Sequence, residues 1–138
     1  MTSYRASHMH ARMTARKARL AADMIRGLTV NRAVELLEFT PKRSARFVEK
    51  VLKSAVANAA SLDSNVDVNR LMVVESRVDE GPLLGGRARW RAGSRGRAMP
   101  YRKRTSHIHV TVGEEPSSVL RDPAADGGQS ASQTGNEE

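Results

Sequence analysis

The sequence predicts an α+β fold that carries a long basic hairpin and an acidic C-terminal tail. Three observations lead there. Residues 15–61 hold apolar side chains at helical spacing, whereas 71–80 and 107–112 alternate as strands do. Between those strands lies a stretch of 22 residues, 85–106, with eight basic side chains and no acid. From Gly113 onward the composition turns to Ser, Gly, Gln, Asp and Glu, and residues 114–138 hold six acids against one arginine.

Along the chain, residues 4–13 form a candidate first strand, with Ala6, His8 and His10 on one face and Arg5, Ser7, Met9 and Ala11 on the other. Thr14 suits the N-cap of a helix over 15–26, whose stripe is Ala18, Ala21, Ala22 and Ile25 beside Leu20 and Met24. Arg16, Lys17 and Arg19 crowd the start of that helix. Its dipole disfavours cations there, and contact with phosphates would offset the cost. Gly27 fits the left-handed position after the helix. A short second helix over 31–39 turns Val34 and Leu37 inward. Thr40 and Pro41 suit the cap and first position of a third helix over 42–61. Its stripe is Val48, Val51, Leu52, Ala55, Val56 and Ala59.

The strand over 71–80 places Met72, Val74 and Val78 on one face and Glu75, Arg77 and Asp79 on the other, and Gly81-Pro82 interrupts it. The chain returns with Ile108, Val110 and Val112 facing one way. The intervening stretch is therefore a hairpin arm, about 80–107, reaching roughly 30 Å if each side runs about ten residues. A lone hairpin of that length has marginal stability in water, so its order comes from a partner.

The 138 residues make one small domain, 1–113, and a tail, 114–138, that is expected to be disordered because it can bury too little to offset ordering entropy. Residues 1–113 carry 22 basic and nine acidic groups, so the domain attracts polyanions strongly. Cysteine is absent, which excludes disulfides and fits a cytosolic protein. No apolar run approaches the ~20 residues of a membrane span, and no signal-peptide core is evident.

Other chemistry is weakly supported. His8-x-His10 and His107-x-His109 could offer four imidazoles to zinc if their strands were neighbours. Asp63, Asn65, Asp67 and Asn69 alternate as in a calcium loop but lack its glycine and its final glutamate. Ser106 and His107, as adjacent strand residues, point apart and cannot act as nucleophile and base. The reading is therefore of no enzyme, no catalytic residue, no cofactor and no metal. In the arm, seven of the eight cations are arginine, which favours planar stacking and bidentate phosphate contact, and Trp90 among them suits stacking on RNA.

Several motifs resemble the bacterial form of large-ribosomal-subunit protein twenty-two. They are His10-Ala11-Arg12, Lys17-x-Arg19-Leu20, Asp23-x-Ile25-Arg26-Gly27, the run from Val48 to Ala59, Val78-Asp79-Glu80-Gly81-Pro82, Gly96-Arg97-Ala98 and Lys103-Arg104-Thr105-Ser106-His107-Ile108. The resemblance implies a small antiparallel sheet packed on helices, here three strands on three helices, with a long projecting β-hairpin. It implies a structural constituent that binds ribosomal RNA of the 23S type, assists assembly and meets neighbouring large-subunit proteins. The hairpin tip would line the peptide exit tunnel, facing the nascent polypeptide, with macrolides bound nearby; neither a membrane nor a small-molecule substrate is implied.

Carried over by position, the RNA-binding residues are Arg12, Thr14, Arg16, Lys17 and Arg19 at the first helix, and Arg87, Arg89, Trp90, Arg91, Arg95, Arg97, Arg102, Lys103, Arg104, Thr105, Ser106 and His107 in the arm. The tip would be Arg89, Trp90, Arg91, Ala92 and Gly93. The arm before Gly96 is slightly longer than the family pattern and lacks its usual proline, and Trp90 is not a typical occupant. The principal alternative is a free-standing nucleic-acid regulator or RNA chaperone.

Overall fold

The computed structural model describes residues 2–63 and 66–114. The expected acidic tail lies outside them except for Glu114, as does Asn65 of the calcium-like alternation. The order of elements is β1 (Ser3–Ala11), α1 (Ala15–Ile25), α2 (Val30–Phe39), α3 (Arg43–Leu62), β2 (Leu71–Leu83), β3 (Arg89–Ala92), β4 (Ala98–Tyr101) and β5 (Arg104–Glu114). β5 runs down the middle of an antiparallel sheet of order β1–β5–β2, and β3 pairs with β4 in a separate two-stranded ribbon. The α+β architecture of three helices, a three-stranded sheet and a hairpin is the one expected.

Alternation explains the central strand. Ile108, Val110 and Val112 are fully buried, and burial of each such side chain is worth about 1.5–3 kcal/mol. α1 lies over β2 and α3 over β1 and β5, while α2 packs on the other two helices. Among the described residues, ten of the 23 buried apolar side chains are alanines, seven of them on α1 and α3, and side chains so small let the helices approach the sheet closely. Tyr4 closes one end of the core by donating its hydroxyl to Asp63 after α3. That hydrogen bond, followed by burial, raises the phenol's pKa.

Two irregularities change which side chains face inward. In β2 the pairing steps from Val73↔Val112 to Glu75↔Thr111, leaving Val74 as an extra residue. The buried face is therefore Leu71, Val73, Ser76 and Val78, whereas Val74 is 58% exposed and Met72 half-buried. This corrects the expected face of Met72, Val74 and Val78: only Val78 keeps its place. In β1, His10 takes a left-handed φ of 56° and the register shifts before Ala11, which turns inward against the simple alternation. The strand ends there, short of Met13.

The helix boundaries fall close to those expected, with one exchange of roles. Thr40 ends α2 rather than beginning α3, because its hydroxyl donates back to the Leu36 carbonyl at 2.6 Å. Lys42 takes the N-cap position of α3, and Pro41 lies outside it. Thr14 does occupy the N-cap of α1, but through its backbone carbonyl, which accepts from the amides of Lys17 and Ala18; its hydroxyl caps nothing.

Candidate nucleic-acid interface

The basic arm is not one continuous hairpin. β2 and β5 stay paired to Leu83↔Arg104, and the Leu84 amide donates to the Lys103 carbonyl at 2.8 Å. Five residues, 84–88, then face two, 102–103, before pairing resumes at Arg89↔Tyr101. Gly85 and Gly86 take φ of 79° and 73° in this break, where a side chain would be strained. The outer ribbon runs to Ala92↔Ala98 and closes through Gly93, whose amide donates to the Arg97 carbonyl at 2.7 Å. Arg95 sits at the apex with φ 54°, followed by Gly96 at 70°.

The residues expected at the tip therefore lie lower on the arm. Arg89, Trp90, Arg91 and Ala92 form β3, and of the five only Gly93 enters the turn, whose centre is Arg95. The period of two puts Arg89 and Arg91 on one face of the ribbon and Trp90 on the other. None of residues 84–103 is buried, and Trp90 is 65% exposed. Among the described residues, Arg104 alone of the eight arm cations meets an acid, Glu80 at 3.8 Å. So many guanidinium groups on so little packed structure leave a strongly cationic surface.

At its base the arm joins a concave groove of about 480 Å³. Arg12 and Lys17 enter from the β1–α1 side, Arg43 from the start of α3, and Arg102, Lys103 and Arg104 from the arm; among the described residues no acid lines it. Arg43 was not among the residues expected from sequence. It lies 5.8 Å from the Phe47 ring centre one turn along α3, which helps hold it toward the groove. Its signal was legible all the same: α3, like α1, begins with cations and has no acid in its first turn. Two helix N-termini thus open beside the same cationic hollow.

The other expected contacts divide. Arg16 lies exposed on α1 beside Glu80 and Arg104 in a neighbouring hollow. Arg19 is committed in part to the fold, its Nε donating to the Val78 carbonyl at 3.2 Å. Thr14 is half-buried at the groove edge. Thr105 and Ser106 differ from the arm cations: both are buried, at 3% and 0% exposure. Thr105 is turned under Gly81 and donates to the Pro82 carbonyl at 2.6 Å, and Ser106 shares the inner face with Ile108. Thr105 nonetheless borders both the groove and the neighbouring hollow.

The histidines go to separate partners. His107 Nδ1 accepts from the His10 amide at 3.1 Å, with the two rings edge to face, and His8 lies 5.9 Å from the Phe47 ring. His109 stands between Arg5, which donates to its Nδ1 at 3.1 Å, and Asp79, 3.6 Å from its Nε2. Burial first, then the cations of Arg5 and Arg77, lower its pKa, with Asp79 acting in opposition. Among the described residues no three side chains of His, Asp or Glu converge as metal ligands, so the two His-x-His pairs do not form one site.

An α+β domain whose acid-free cationic arm stands clear of its core is built like a component of a larger ribonucleoprotein, and comparison with known families places the chain among the large-subunit ribosomal proteins. It belongs to the family Ribosomal protein L22p/L17e, whose model matches residues 6–113. The chain is accordingly a ribosome-associated constituent of the translation machinery, and the family associates with the RNA and proteins of the large subunit.

Proposed function

We propose that the chain binds large-subunit ribosomal RNA through the arm and the groove at its base, assists subunit assembly, and lines the nascent-peptide exit tunnel with the turn around Arg95. It acts in the cytoplasm as a structural protein, without catalysis. The observation that carries this reading is the acid-free succession of cations from the turn through Arg102, Lys103 and Arg104 into a groove that also takes Arg12, Lys17 and Arg43. Arginine at seven of the eight arm positions gives planar forks suited to phosphate and to stacking on bases. Trp90 adds an exposed ring on the face opposite Arg89 and Arg91.

Crosslinking from Trp90 and Arg95 in assembled subunits tests the reading. Adducts to large-subunit RNA from both positions, with Arg95 also reaching a stalled nascent chain, are expected. Recovery of the protein mostly away from the large subunit on a sucrose gradient would favour a free-standing regulator.

A further inference from the structure

The groove at the base of the arm has a feature that phosphate binding alone does not use. Beside its six cations and two threonines it is lined by two apolar side chains, Met13 and Leu84, both half-buried. Both are fixed by backbone hydrogen bonds, the Met13 amide to the Ala11 carbonyl at 2.7 Å and the Leu84 amide to the Lys103 carbonyl at 2.8 Å. Met13 also packs on the hydrophobic core, which anchors this part of the lining. A rod of duplex backbone needs only the cations. The volume of about 480 Å³ falls within the range of roughly 300–1,000 Å³ typical of pockets for small organic groups.

We propose that this groove is a subsite for a single extruded nucleotide of the bound RNA. The base lies on Met13 and Leu84, and the phosphates flanking it are held by Lys17 and Arg43 on one side and by Arg102 and Lys103 on the other. The inference rests on the RNA-binding reading above and adds to it a preference for a bulged or looped strand over a continuous helix. Unpaired bases can leave the stack at little cost, whereas a paired base must first be unstacked, so apolar side chains beside cations select the former.

The test uses the full chain and two RNA probes: a short stem with one unpaired nucleotide, and the same stem fully paired. The wild type is expected to bind the bulged stem about eightfold more tightly, the effect of covering about 50 Å² of base surface. Leu84→Asn and Met13→Ala are each expected to bring the ratio of the two affinities to about one, and a ratio kept near eightfold in both variants would overturn the subsite. Lys17→Gln is expected to weaken both stems alike and keep their ratio. Equal affinity of the wild type for the two stems would overturn the subsite and leave RNA binding intact. Failure to bind either stem at low salt would overturn the RNA-binding reading and the subsite with it.

Discussion

Replacing Gly81 with alanine probes the joint on which the arm stands. A Cβ at this position would lie 2.6 Å from Thr105 Oγ1, 3.1 Å from His107 Nε2 and 3.2 Å from the Thr105 backbone carbon. The first contact is too close for any real side chain, and the third is backbone that cannot swing away. Overpacking of this kind costs about 1–3 kcal/mol. The Thr105 hydroxyl must also leave the Pro82 carbonyl, forfeiting a net bond worth about 1 kcal/mol. Urea denaturation should therefore show Gly81→Ala destabilised by about 2–4 kcal/mol, a large part of the ~5–15 kcal/mol of a small domain. Gly27→Ala is the control: its φ of 76° is unfavourable but nothing lies within 4 Å, so a cost of only about 1–2 kcal/mol is expected. Because the clash is with the threonine hydroxyl, Thr105→Ala should recover part of the loss in a double-mutant cycle. Equal effects at the two glycines, or strict additivity of Gly81→Ala with Thr105→Ala, would refute the reasoning.

Three further outcomes follow from the structure. Affinity for RNA should fall with salt by about 0.7–0.9 log units per log unit for each neutralised phosphate, so Lys17→Gln and Arg43→Gln should each lower that slope by about one such step in filter-binding titrations. Ser106→Ala should raise stability by about 1 kcal/mol in thermal denaturation, since its Oγ is buried without a hydrogen-bond partner among the described residues. The lowered pKa of His109 means that the unfolded chain takes up a proton before the folded one; stability should thus decline as pH falls from about 6.5 through the lower folded value, and His109→Gln should flatten that decline in denaturation curves across the range.

How much was legible in the sequence depended on whether a pattern had one phase or two. Val110 and its neighbours alternate cleanly, and α3 repeats its apolar stripe over about four turns, so each admitted one reading. The run Met72-Val73-Val74 is apolar throughout and fits either face; a single extra residue at Val74 decided the matter, and no local signal marks it. Thr40-Pro41 carried signals both for ending one helix and for starting the next, and the bond from Thr40 to Leu36 settled it toward the ending. The arm offered four glycines and so several places to turn. The chain turns at Arg95, a non-glycine residue in left-handed conformation, and spends Gly85 and Gly86 on the break lower down. The groove is a product of topology: residues 12, 43 and 102–104 are far apart in sequence, and only the packing of α1, α3 and the base of β5 brings their charges together.

The account turns on an arm that has no packed interior and acquires its order from RNA. Hydrogen exchange on the full chain, free and bound to large-subunit RNA, measures this directly at the amides of residues 84–103. The account predicts rapid exchange there in the free protein, slow exchange in the buried strand around Val110 in both states, and strong protection of the arm once RNA is bound. An arm already protected as well as the core without RNA, or one left unprotected in the complex, would contradict it.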